Sequence, residues 1–556
     1  MSDLINKLGA LFPSSFRSSG LITSLMFLIC LTAVQSASAA TYTVMTTADG
    51  GAGSLRAAIE SANGTLDSDT IEFAIPASDS NCTAGVCTIK LTSGELAITS
   101  AATAGTLLIT NSTSAGNLLI SRNDTSRVFF VNSGANLTIN GVTITRDNGT
   151  GTTNSVFMGV GAGIYNSGIT ILTNSIVSGN KASHNGGGIY NYYGATMTLT
   201  NSTVSGNWSG FGGGGISNNG TMTLTNSTIS GNSSTIGGGI YNGAALTLTN
   251  STVSGNKASS AGGGIINEDT GATTSGITTL TNSTVSGNWS DNGGGIYIYY
   301  GTLNLTSVTV TQNQSTKADC TGCPGGITNF GGTANLNNTI VAGNTAANAS
   351  APPDLGAEVA AGSSFNLVGN GLGTTGISNG DANSNQVGSS ASPIDPRLGA
   401  LADNGGATQT HALLFGSPAL DKGNSFSLTT DQRGFARPVN LDDATYPNAT
   451  DGDNSDIGAF EAQTAPLGTT AAAVSISGRV MTASGRGIGN VRLTLTDTNG
   501  QIRTAMTTSF GYYRFDNVLV GETYILLAVG KRYTFSQSLR VLSINGETDA
   551  VNFIAD

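Results

Sequence analysis

One phrase is written seven times between Leu172 and Asn344, and a chain repeating at this period buries its apolar residues only by stacking one copy on the next. Its cleanest form is Leu-Thr-Asn-Ser-Thr-Val-Ser-Gly-Asn, a variable turn, Gly-Gly-Gly-Ile-Tyr-Asn and a second variable turn. The copies align into a Leu column (Leu172, Leu199, Leu224, Leu248, Leu280, Leu305, Leu336). Five residues on comes an aliphatic column (Val177, Val204, Ile229, Val253, Val285, Val310, Val341), and three further an Asn column (Asn180, Asn207, Asn232, Asn256, Asn288, Asn313, Asn344). Neither internal spacing varies, whereas successive Asn lie 24 to 32 residues apart, so length changes fall in turns. Ile139, Ile144 and Asp147 keep the same spacings and predict a further coil ahead of the perfect ones.

The coil is built of strands. Thr, Val and Ile alternate with period two, Gly, Asn and Ser cluster between the runs, and no apolar 3.6 period of useful length occurs in the repeats. The expected fold is all-β, a parallel β-helix with the Leu and Val columns filling its bore. The triple glycine supplies the positive φ and close approach that a tight corner needs. Stacked Asn can hydrogen-bond from coil to coil, a structural role. Only seven charges fall between residues 160 and 345, which would suit disorder if the aliphatic columns did not argue for a packed core.

Both ends differ from the middle. Lys7 and Arg17 precede an apolar run from Leu21 to Val34, and Ala37-Ser38-Ala39 offers a cleavage site, so residues 1–40 read as an export signal, too short in its apolar core to span a membrane. No later segment could cross one. Thr41–Met45 reads as a strand, and Ser54 N-caps a helix with Leu55, Ala58, Ile59 and Ala62 on one face, a plug for the open end of the core. Export makes two local cysteine pairs, Cys82/Cys87 and Cys320/Cys323, read as disulfides closing turns; a redox dithiol or a zinc site at Cys320-Thr-Gly-Cys323 is the lesser alternative.

Residues 41–473 hold 12 basic against 26 acidic side chains, a net of −14, which argues against nucleic acid or an anionic membrane as partner. Much of the acid lies beyond Asp395. There, salt links among Asp431, Arg433 and Glu461 are expected, and Asp451, Asp453 and Asp456 loosely resemble a calcium loop, making bound Ca²⁺ the one cofactor considered.

The repeats resemble those of secreted right-handed parallel β-helix proteins, and Ser-Gly-Asn paired with Gly-Gly-Gly-Ile is similar to polymorphic outer membrane protein repeats. Gly53–Ile59 resembles the CSLREA motif, with Gly53 in place of its Cys and Ala57 in place of its Glu. Asp403–Glu461 resembles the terminal region called choice-of-anchor Q. After an Ala/Thr/Pro/Gly-rich linker, strand patterns at Val474–Val480, Val491–Thr496 and Tyr524–Val529 surround a hairpin signal, Thr498-Asn499-Gly500. Ser477–Val480 and Thr508–Phe515 resemble the carboxypeptidase regulatory-like domain, a small prealbumin-like β-sandwich; this implies a spacer or binding module rather than a peptidase. The expected division is therefore a signal (1–40), an N-terminal cap and first coils (41–130), regular coils (131–350), C-terminal choice-of-anchor Q-like coils (351–465), a linker (466–473) and the sandwich (474–556).

The resemblance specifies activity poorly, because β-helix proteins include both polysaccharide-degrading enzymes and adhesins, and fold does not settle function. A lyase or hydrolase needs carboxylates converging from adjacent coils, and the perfect repeats contain no carboxylate column. No Ser/His/Asp set is expected, because neither His184 nor His411 has a patterned Ser nearby. The binding alternative has a positive feature. The position after each Asn is occupied in order by Lys181, Trp208, Ser233, Lys257, Trp289, Gln314 and Thr345, an exposed turn column that holds both tryptophans. Trp208 and Trp289 would lie three coils apart, roughly 14 Å. Their rings could stack on sugars while Lys181 and Lys257 meet uronates. A second outward column, Tyr165, Tyr190, Tyr241 and Tyr297, alternates with Ile164, Ile189, Ile240 and Ile296; these rings either cover the glycine corners or join the binding face. The expectation is a non-catalytic exported protein whose partner is an extracellular polysaccharide or a surface protein, with a polysaccharide lyase or glycoside hydrolase as the alternative.

Overall fold

The computed structural model describes residues 39–556 other than 66, 100–104, 113–114, 123–125, 147–158, 270–275, 357, 442–443, 465–472, 498–500, 520–522 and 545–547. The export signal through residue 38, Asp147, the Thr498–Gly500 turn and most of the linker therefore lie outside the described residues. Within them the repeats stack as read. Leu172 pairs with Leu199, and the column runs in register through Leu224, Leu248, Leu280 and Leu305 to Leu336. Val177 heads an equally unbroken column that runs in register to Val341. Ile139 and Ile144 extend both columns by the expected earlier coil. Every residue of the two columns is buried, in one continuous apolar core.

Three parallel sheets wall this core. The first carries the Leu and Val columns, and its strands pair in parallel except at the Cys82–Thr83/Val86–Leu91 hairpin. The second has ten strands built on the Ile-Tyr-Asn phrase, from Leu96–Ile98 to Leu355–Gly356. The third has seven very short strands, from Lys181–Ala182 to Thr345–Ala346. The glycine corner joins the third sheet to the second. Gly213 there has φ +65°, and a Cβ on Gly214 would stand 2.4 Å from the Ser233 carbonyl oxygen. Glycine is required at this corner by backbone crowding as well as by φ.

Polar ladders stitch the coils. Asn207 accepts from the backbone N–H (2.9 Å) and Nδ2 (3.1 Å) of Asn180 and repeats the pattern onto Asn232. The chain of amides continues to Asn344, which donates twice to Oδ1 of Asp354 at 2.9 Å. A second ladder, Asn166–Asn191–Asn218–Asn242–Asn267, links Nδ2 to Oδ1 at 2.8–2.9 Å inside the second sheet.

A helix seals the first end of the core. Ser54 caps the helix Leu55–Asn63, whose buried face is Leu55, Ala58, Ile59 and Ala62, and Thr41–Val44 is the first strand. Cys82–Cys87 and Cys320–Cys323 form disulfides between near neighbours. At the far end the ladders continue through Leu367–Val368 and Gln386–Val387. Residues 394–462 then leave the stack and run back over the outer face of the first sheet. Gln432 sits buried there, donating to Thr252 Oγ1 (2.9 Å) and accepting from Thr284 Oγ1 (2.6 Å). Beyond the linker, a three-stranded and a four-stranded sheet enclose a separate core of residues including Ile476, Leu493, Phe515, Leu526 and Phe553. Two strands there follow the pattern closely, Arg492–Thr496 and Thr523–Val529. The molecule is a parallel β-helix followed by a β-sandwich.

Candidate functional site

The buried Asn ladder sets the direction of its neighbours. Each ladder Asn is succeeded by one outward and one inward residue, so Lys181, Trp208, Ser233, Lys257, Trp289, Gln314 and Thr345 fall in register on the outer face of the third sheet. The column expected in a turn is thus a strand ladder. Ala182, Ser209 and Ser290, one residue on, are buried. Trp208 and Trp289 are half-buried rather than fully exposed, and Lys257 is exposed. The Lys257 ammonium lies 4.1 Å from the centre of the Trp289 ring, a cation–π distance. Lys181 stands one coil from Trp208 in the same relation of register. Two Lys–Trp pairs therefore recur three coils apart on one face.

The tyrosine column occupies the second sheet. Tyr165 and Tyr190 are paired in register with ring centres 5.4 Å apart, while Ser217 and Ile266 interrupt the column around Tyr241. Tyr297 occupies the next coil. These rings do pack on the corners: Tyr190 Cβ lies 2.9 Å from where Gly161 would carry a Cβ, and the Tyr241 ring 3.4 Å from that of Gly212. Burial, then neighbouring tyrosines, pushes the Tyr190 hydroxyl up to about 12. Tyr241 goes higher still, through burial and its hydrogen bond to Glu268. Neither serves as a ready proton acceptor. More exposed rings, absent from the sequence-based expectations, extend this face: Tyr192, Tyr193, Tyr299, Tyr300 and Phe330. Tyr299 and Phe330 stack with centres 5.6 Å apart. Their signal in the sequence is a Tyr-Tyr-Gly triplet closing two of the coils, at 192–194 and 299–301.

At the acidic end Asp421, Asp431, Asp456 and Glu461 are buried. Asp451, Asp453 and Asp456 do not converge, which corrects the calcium-loop expectation. Asp453 is engaged by Ser425 and Ser455, Asp456 accepts from the backbone of Asp421 (2.8 Å) and Ala462 (2.6 Å), and Asp451 is exposed. Among the described residues no group of three His, Cys, Asp or Glu side chains could hold a metal ion. Arg433 pairs with Asp431 (2.7 Å) as expected, but the carboxylate of Glu461 pairs with Arg437 (2.7 Å), and both of those side chains are fully buried. Burial raises the pKa of Asp456, and so does Glu461 beside it; Glu461 is itself raised by burial. A carboxyl pair of this kind could trade protons, yet neither group reaches solvent.

A Ser–His contact does exist, contrary to expectation. Ser286 Oγ lies 2.8 Å from His411 Nε2, and His411 Nδ1 is 2.7 Å from the Gly399 carbonyl oxygen. The two meet because the chain beyond residue 394 folds back, a contact invisible to local spacing. Both are buried, and desolvation lowers the pKa of His411, so the dyad is a neutral packing contact without access to substrate.

Among the described residues no helix is long and apolar enough to cross a membrane. Residues 161–346 match the family model of the right-handed β-helix region, about a third of the chain. Residues 473–553 match the second β-sandwich domain of the BOS complex subunit NOMO1-like family; the matched family thus differs in name from the carboxypeptidase regulatory-like resemblance, while the sandwich itself stands. No curated protein matches the chain. The stacked coils and these two matches make the chain a right-handed β-helix repeat protein carrying a C-terminal β-sandwich domain.

Proposed function

We propose that the protein is a non-catalytic extracellular binding protein whose β-helix holds an acidic polysaccharide through the third-sheet ladder. The observation that carries this reading is the pair of Lys–Trp units, Lys181/Trp208 and Lys257/Trp289, held in register on a rigid face. A half-buried indole gives one face to the apolar side of a sugar ring, and the adjacent ammonium meets its carboxylate. Only seven charges fall between residues 160 and 345, and Lys181 and Lys257 are the two that stand in the ladder column itself. Two disulfides fit an oxidising compartment. The enzymatic alternative loses support because the carboxyl pair and the Ser–His contact are both sealed.

The test is incubation of the purified chain with oligo- and polyuronates and neutral glycans, followed by size-exclusion chromatography of polymer and protein together. Co-migration without shortening, weakened by Trp208→Ala, supports the reading. Shortened polymer overturns it in favour of a lyase or hydrolase.

A further inference from the structure

A cavity of about 400 Å³ opens on the outer face of the sandwich's three-stranded sheet, lined by residues that include Ser477, Arg479, Met481, Tyr512 and Asn552. The central strand, Ala473–Thr482, buries Ile476 and Val480 in the core, so alternation turns Ser477, Arg479 and Met481 outward. Arg479 lies opposite Tyr512 on one neighbouring strand, and Met481 lies beside Ile554 on the other.

Arg479 is fixed but not neutralised. Its backbone N–H donates to Asn552 Oδ1 (2.8 Å) and its Nε to the Phe510 carbonyl oxygen (2.9 Å), while the guanidinium carbon lies 5.1 Å from the centre of the Tyr512 ring. Its two terminal nitrogens have no carboxylate or other acceptor among the described residues, whereas Arg514 on the same face is paired with Asp516. A planar fork held in this way is prepared for a bidentate carboxylate. The groups around it are apolar: Phe510, Tyr512 and Ile554 are 71%, 56% and 55% exposed. Two polar atoms complete the site. Asn552 Oδ1 accepts from a backbone N–H, which fixes the amide and leaves Nδ2 to donate; Ser477 donates to Asp549 (2.6 Å), which leaves its oxygen to accept. A matching ligand carries one carboxylate, an apolar group beside it, and an amide that both gives and takes a hydrogen bond. A uronate presents hydroxyls where this site is apolar, and a fatty acid lacks the amide.

We propose that the sandwich domain binds the C-terminal end of a polypeptide. The terminal carboxylate meets the Arg479 fork, an apolar last side chain packs among Tyr512, Met481 and Ile554, and the last peptide group meets Asn552 and Ser477. The site contains no residue of the β-helix, so it holds or fails independently of polysaccharide binding by the ladder.

Calorimetric titration of the whole chain with an N-acetylated tetrapeptide ending in leucine tests it. The free acid should bind with sub-millimolar affinity, and its C-terminal amide about tenfold more weakly, the worth of one charged hydrogen bond. That comparison is made on the wild-type chain and so does not depend on any variant folding. Arg479→Gln should weaken the acid about tenfold and leave the amide unchanged. Arg479→Lys keeps the charge but not the planar fork and should fall between. A tetrapeptide ending in aspartate should bind more weakly than the leucine one, and Trp208→Ala should have no effect on either. Equal binding of acid and amide, equal binding by wild type and Arg479→Gln, or no binding at millimolar peptide overturns the proposal. Displacement of the peptide by decanoate or by a galacturonate disaccharide at lower concentration also overturns it, in favour of an amphiphile or an acidic sugar.

Discussion

Asn232 shows how much one side chain carries in a stacked coil. Its side-chain carbonyl accepts twice from Asn207, and its Nδ2 donates to the Val204 carbonyl oxygen and to Asn256, all in buried surroundings. Asn232→Ala leaves partners on both sides unsatisfied, and each buried orphan costs on the order of 1–3 kcal/mol. The expected outcome is a lower urea midpoint, with a loss of about 3 kcal/mol. His411 gives a pH signature of its own. Burial lowers its pKa in the folded chain, while the unfolded chain takes up a proton near pH 6.5. Below that value the unfolded state binds the extra proton, so this residue's contribution falls as the pH drops through 6.5 and recovers as it rises. Buried Asp354, Asp456 and Glu461, whose pKa values burial raises, act in the opposite sense: each holds its proton to higher pH folded than unfolded, so their contribution falls as the pH rises through the carboxylate range. The melting temperature of wild type minus that of His411→Gln, followed from pH 5 to 7, isolates the histidine. The difference should grow more favourable to wild type with rising pH.

Glycine is not one kind of position at the level of the coil. At Gly214 an added methyl meets the carbonyl oxygens of Ser233 at 2.4 Å and Gly238 at 2.5 Å, backbone atoms that no rotamer change can move. At Gly194, φ is +76° but nothing stands within 4 Å, so a methyl meets only backbone strain, about 1–2 kcal/mol. Gly194→Ala should therefore fold with a modest loss and Gly214→Ala should fail to give a cooperative transition, as circular dichroism on heating would reveal. The Leu, Val and Asn columns, the Gly corners and the capping helix were all legible, because each is a short-range spacing and seven copies average out local noise. The second Asn ladder is equally local: Asn191 lies two residues from buried Ile189 and so shares its inward face, but the outward Tyr190 between them masks the pattern. The fold-back of residues 394–462 was not legible. Its anchors join residues far apart in sequence, such as Gln432 and Thr252, separated by 180 positions, and no periodicity encodes them.

Across the whole solenoid, the candidate site was readable wherever it is a column. Lys181, Trp208, Lys257 and Trp289 share one offset from the Asn ladder, so their register followed from the repeat. Rigidity converts the ladder's spacing into a measurable property. The two Lys–Trp pairs are held three coils apart by hydrogen-bonded strands, so a polymer long enough to reach both makes its second contact intramolecularly. A short uronate oligosaccharide, able to cover only one pair, should bind with two equivalents per chain; Trp208→Ala should remove one equivalent and leave the affinity of the other unchanged. For a long uronate polymer the same substitution should lower affinity by roughly a hundredfold, because the effective-concentration gain of linked contacts disappears. Titration of both ligands against both proteins distinguishes the cases. Equal weakening of short and long ligands would mean that the pairs act singly and that the repeat spacing plays no part in recognition.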